Sequence, residues 1–122
     1  RSARTPDEAA AHQSRFVCAA RAYDEAILRG TARVANKAAA ESDAIVRALR
    51  AAGAEDEVLR PLLHHEAIEI RCAAATYLYH GSGDDEAATV LRGISEGHGL
   101  SAVEAMTALR VGVIGRDIPG SG

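Results

Sequence analysis

Apolar side chains recur along this chain at intervals of three and four, the spacing that gathers them on one side of an α-helix. Phe16, Ala20, Tyr23 and Ile27 form the first such stripe, widened by Ala19 and Ala26. Thr5-Pro6-Asp7-Glu8 announces it. Thr5 can cap free N–H groups, Pro6 suits a first helical position where no N–H is needed, and Glu8 completes a capping box. Gly30, free to take left-handed backbone, ends the helix. A second stripe, Val34, Ala38, Ile45 and Leu49 with Ala35 and Val46 alongside, predicts a helix from Thr31 to about Ala52, stopped by Gly53. Two long helices with almost no loop between them predict an antiparallel hairpin over residues 5–53.

Beyond Gly53 the rhythm shortens. Glu55 to His64 carries Val58, Leu59, Leu62 and Leu63 behind an acidic first turn, and Pro61 should kink it or force an irregular turn. Ala67 to His80 is the next helix, with Ile70, Ala74, Tyr77 and Leu78 on one face and Gly81-Ser82-Gly83 as its break. Asp84 opens a helix carrying Ala87, Val90, Leu91 and Ile94, ended by Gly97-His98-Gly99. Ser101 reads as the cap of the last helix and Glu104 as its box partner, with Ala102, Ala105, Met106 and Leu109 facing inward. Residues 114–122 read as a flexible tail. Nothing alternates with period two for long enough to demand a strand, so the predicted class is all-α, with about six helices in one domain.

Composition narrows the function. The 122 residues hold 27 alanines, one Phe, no Trp and a net charge of −3. That excludes an aromatic-rich β-sandwich and a binder that stacks bases on aromatic rings, and 25% charged residues excludes a disordered chain. No apolar run approaches the ~20 residues of a membrane span. Arg1 to Thr5 has no apolar stretch of the kind a secretion signal needs, which points to the cytoplasm. Cys18 and Cys72 are too few and too distant for a disulfide framework, and both read as buried thiols. Thirteen Arg against one Lys suggests GC-rich bacterial coding. Residues 62–122 carry four basic and eight acidic side chains, a balance that favours a neutral or basic partner.

A longer period lies beneath the short one. Leu59, Leu63, Ala74 and Leu78 are followed 31 positions later by Val90, Ile94, Ala105 and Leu109, and the breaks near His64-His65-Glu66 and Glu96-Gly97-His98 repeat about a period apart. Residues 54–81 and 84–113 therefore read as two copies of one helix pair. The stretch from Leu59 to Ala74, with its leucine-rich first helix holding Pro61, its acidic turn and its Ile70-Arg71 pair before small residues, resembles a HEAT repeat. The likeness covers residues 59–80. The second unit departs from it, with Ala102 where Arg71 stands in the first, and Ala67 replaces the proline or polar residue usual at the turn. The whole chain is similar to a bacterial family of small HEAT-like domains with no assigned activity, some members of which are encoded near toxin systems. That resemblance implies a short right-handed α-solenoid with a binding role, and it transfers no catalytic residue. It also implies that Arg71 ties adjacent turns or units together through a carboxylate or carbonyl.

Candidate chemistry is thin. His64, His65, His80 and His98 lack the spacing of zinc ligands and read as polar groups at turns and helix ends. Cys18 and Cys72 sit among alanines inside helices, away from the exposed turns that activated nucleophiles favour. Glu55-Asp56-Glu57 and Asp84-Asp85-Glu86 fall at helix starts, where acids complement the dipole, and Asp24-Glu25 reads as a solvated face. Gly81-Ser82-Gly83 has neither the preceding strand nor the following Lys of a phosphate loop. Arg29, Arg33, Lys37, Arg47 and Arg50 crowd the hairpin, yet Arg33, Lys37 and Glu41 step along one face as an ordinary i,i+4 ladder, and a pI near 5.9 is not that of a duplex binder.

The sequence therefore points to a non-enzymatic protein-binding module with no metal or cofactor. The specific expectation, an immunity protein or inhibitor of a bacterial toxin or effector, comes from the family resemblance and the acidic surface. Tyr79, expected to be exposed, is the natural anchor. Glu69, Thr76 and His80 join it on one helix, and Glu66, Asp84 and Asp85 supply the acidic surroundings. The alternatives are a HEAT-like domain binding nucleic acid or a small ligand, and a structural homodimer that seals the apolar face of the end unit.

Overall fold

The stripes fold as helices. The computed structural model describes residues 6–114, and among them it holds six α-helices, one 3₁₀ turn and no strand. The protein is all-α. It divides between Pro61 and Leu62 into two compact units, and that division falls inside the 3₁₀ turn Arg60–His64.

The first unit is built on helices α1 (Pro6–Arg29) and α2 (Ala32–Ala51), which pack on each other across a two-residue link and so run antiparallel. Gly30 takes φ of +75°, a conformation L side chains rarely adopt, and Thr31 ties the link down. Both the backbone N–H and the hydroxyl of Thr31 donate to the Ala26 carbonyl, at 2.9 and 3.1 Å, so this side chain holds α1 rather than capping α2. The predicted cap Thr5 lies outside the described residues. Helix α3 (Glu55–Leu59) packs on both long helices, and the Gln13 side-chain amide donates to the Val58 carbonyl at 3.0 Å. Pro61 has its predicted effect: α-helix gives way to the tighter 3₁₀ turn.

The buried arc of α2 is Ala35, Ala38, Ser42, Val46 and Leu49, set against Phe16, Ala19, Ala20 and Ala26 of α1 in an alanine-lined seam. Val34 and Ile27, expected inside, are exposed, and Ile45 is half-buried. The physical reason is competition. Where alanines sit on both flanks of an aliphatic residue, the periodic pattern fits two stripes, and the stripe of smaller side chains brings the helix backbones closer and gains more dispersion contact. Ile27 and Leu28 also lie in the last turn of α1, whereas α3 meets α1 near Gln13, toward the opposite end of the hairpin. Cys18, expected to be buried, is exposed. It lies two residues after the fully buried Phe16, roughly 200° around the helix.

The second unit contains α4 (Ile68–Ser82), α5 (Asp85–Ser95) and α6 (Leu100–Val111), each packed on the other two. Ile70, Cys72, Ala74, Ala75 and Leu78 of α4 are buried, as are Ala87, Ala88, Leu91 and Ile94 of α5. The Cys72 thiol donates to the Ser101 carbonyl at 3.6 Å. Helix α4 runs through Gly81 and Ser82, which were expected to break it, and the Ser82 hydroxyl donates to the Leu78 carbonyl at 3.2 Å. It stops at Gly83, with φ of +70°. Asp84 caps α5, accepting from the Ala87 N–H at 2.9 Å.

Ser101 does not cap α6. It lies inside the helix and is buried, and Gly99, with φ of +90°, holds the N-cap position. The helix thus starts earlier than its capping residue suggested, and its buried arc is Ala102, Ala105 and Ala108. Met106, expected inside, is exposed, and Leu109 is half-buried. The reason matches that in α2: an alanine stripe wins the interior. Of the residues read as a tail, 115–122 lie outside the described residues, while Ile114 is fixed by its backbone.

Candidate binding surfaces

Turn 65–67 is wired by hydrogen bonds. The His65 ring accepts from the Ala67 N–H through Nδ1 at 2.9 Å. Arg71, one turn into α4, donates through Nη1 to the His65 carbonyl at 2.7 Å and the Glu66 carbonyl at 3.1 Å. The guanidinium thereby closes the entry to α4, satisfying two carbonyls that the irregular turn leaves without helical partners.

Glu69, Thr76 and His80 share one face of α4, at i, i+7 and i+11, and all three are half-buried. Tyr79 is half-buried as well and lies about 100° around the helix from His80. The two rings are 6.2 Å apart and tilted by 41°. His80 is the most constrained of the group. Its Nδ1 lies 2.7 Å from the Gly112 carbonyl, and its own carbonyl accepts the Ile114 N–H at 2.8 Å. Two bonds to one residue strap the chain after α6 against the last turns of α4.

The acidic positions separate. Exposed Glu66 and half-buried Glu69 lie at the start of α4, and Asp84 and Asp85 lie past its end. A rise of 1.5 Å per residue puts the two groups roughly 20 Å apart along the axis. Asp84 is engaged as a cap, and Asp85 accepts the Thr89 hydroxyl only through its backbone carbonyl. Half-buried Glu86 meets exposed His64 at 2.9 Å, linking the 3₁₀ turn to α5. Among the described residues no group of three or more His, Cys, Asp or Glu side chains is placed to hold a metal ion. No described helix is long and apolar enough to cross a membrane.

A different surface emerges on α6. Val103, Met106 and Val111 are 55%, 45% and 56% exposed, and Ile114 just beyond the helix is 55% exposed. Val103, Met106 and Arg110 follow i, i+3 and i+7, a stripe of their own opposite the buried alanines. This spacing was present in the sequence, but reading Met106 as core hid it. A smaller apolar set, Ile27, Leu28 and Val34, is uncovered at the closed end of the α1–α2 hairpin.

On α2 the outward arc carries Arg33, Lys37 and Arg47 with Ala40 and Ala44 between them, all exposed. The anticipated Arg33–Lys37–Glu41 ladder forms no ion pair among the described residues, whereas Arg29, Arg50 and Arg60 each pair with an acid. Fully solvated i,i+4 pairs gain little over the rotamer freedom they lose, so the absence has an ordinary cause.

No known family model, characterised protein or solved structure matches the chain.

Proposed function

We propose that this chain is a protein-binding helical module without catalytic chemistry of its own. One observation carries this reading: three large aliphatic or thioether side chains project from one helix, with Ile114 beside its end, into solvent. Several large apolar side chains exposed on one short helix are the kind of feature that marks surfaces a partner covers. The HEAT-like resemblance of residues 59–80 agrees with a scaffold whose outer faces do the recognising. Inhibition of a bacterial toxin or effector is the specific form suggested by the family resemblance. The α4 group of Glu69, Thr76, Tyr79 and His80 is a second candidate contact, smaller in apolar area.

The test is co-purification of the tagged chain from native lysate, compared with V103E/M106E. A stoichiometric protein recovered by the parent and lost by the variant supports the proposal. No such protein, or one retained equally by the variant, overturns it. Arg33, Lys37 and Arg47, which form no ion pair among the described residues, favour nucleic-acid binding as the alternative. That reading predicts a salt-sensitive gel shift with duplex DNA, abolished by R33E/K37E/R47E.

A further inference from the structure

We propose that the entry to α4 is a proton-sensitive latch: adding a proton to His65 releases the Ala67 N–H, while the strap at the far end of the helix holds in acid. The device stands independently of the proposed function. The histidines at the two ends of α4 carry their ring protons on opposite nitrogens. A backbone N–H only donates, so the His65 Nδ1 that takes the Ala67 N–H at 2.9 Å is bare, and the ring proton sits on Nε2. A backbone carbonyl only accepts, so the His80 Nδ1 lying 2.7 Å from the Gly112 carbonyl carries a proton. In the imidazolium both nitrogens are protonated. At His80 the bond is therefore kept and becomes charge-assisted, whereas at His65 an acceptor turns into a donor aimed at another donor.

The surroundings of His65 add to that conflict. Arg71 donates to the His65 carbonyl at 2.7 Å, and α4 directs the positive end of its dipole at the turn, so a charged ring meets like charge from both. Exposed Glu66 and half-buried Glu69 flank the turn, and the preceding His64 is held by Glu86 of α5. The other charged groups on the helices packed against α4 are Asp85 and Arg92 of α5 and Glu104 and Arg110 of α6. Among the described residues no carboxylate bonds the His65 ring to receive a charge placed there. Because Ala67, the N-cap of α4, offers no side-chain cap, the ring shares with Arg71 the ordering of this entry. The bond needs the neutral ring. Its contribution is therefore present at the upper end of the imidazole titration range, about pH 5 to 8, and lost toward the lower end.

The experiment is amide hydrogen exchange followed by NMR on the full chain near pH 8 and near pH 5, expressed as protection relative to the intrinsic rate at each pH. Long-range nitrogen–proton spectra of the histidine rings near pH 8 accompany it. The expected result is a proton on Nε2 at His65 and on Nδ1 at His80, with protection of the Ala67 amide about tenfold lower at the acid pH. The Ile114 amide, which donates to the His80 carbonyl, should stay protected at both. H65N supplies a side-chain oxygen that accepts from the N–H two residues on and does not titrate, so it should protect Ala67 equally at both pH values. H64Q should keep the parental response, which separates this ring from its neighbour. A proton on His65 Nδ1 near pH 8, equal protection of Ala67 at both pH values in the parent, the same acid loss in H65N, or its disappearance in H64Q overturns the proposal.

Discussion

At the scale of single residues, the two cysteines show how far burial separates chemically identical groups. Cys18 faces water from α1, while Cys72 is 2% exposed and spends its S–H on the Ser101 carbonyl. Thiol labelling of the native protein is expected to modify one cysteine rapidly, and the second only on unfolding; C18S should abolish the fast phase. Arg71 closes the turn that leads into its own helix. Its two bonds to the carbonyls of turn 65–67 are charge-assisted, and R71M, which keeps most of the packing, should lower stability by about 1–3 kcal/mol in urea denaturation. R71K should recover only part of that, since an ammonium lacks the planar geometry.

At the scale of elements, helix ends were the most legible feature of the sequence. Gly30, Gly53 and Gly83 all take positive φ where glycine was read as a stop, and Asp84 caps where an acid was read as an opening. D84A should destabilise the protein by about 1 kcal/mol, measured as a lowered urea midpoint with an unchanged slope. Helix faces were less legible, for a physical reason. Ala35 beside Val34, and Ala105 and Ala108 around Met106, offer a second stripe at the same period, and hydrophobicity alone ranks the larger residue inward. Close approach of backbones ranks the smaller one inward, and that preference depends on the neighbouring helix, which a single stripe does not contain. Ser101 failed as a cap for a related reason: Gly99 offered an earlier start, and the hydroxyl residue was then drawn inside the helix.

For the whole molecule, the same substitution of small for large inside leaves larger aliphatics outside, and that exchange produced the candidate surface. The acidic and tyrosine positions were legible as residue types. Their division between the two ends of α4, and the strapping of His80 by Gly112 and Ile114, depend on three-dimensional arrangement that periodicity does not carry. Because Val103 and Met106 face water, V103E/M106E should change unfolding free energy by no more than about 0.5 kcal/mol per site while removing partner binding. F16A, at a side chain with no exposure, should instead cost about 3–5 kcal/mol. Comparing the two by thermal denaturation separates the framework from the surface it displays.

The alanine-lined seam of the hairpin bears on how such a protein changes over generations. A methyl group is nearly the smallest filler available between two rods, so enlarging it wedges them apart, and trimming it to glycine loosens the helix itself. Inherited variation is thereby steered to the outward arcs, where a new preference for a ligand can arise without disturbing the architecture beneath.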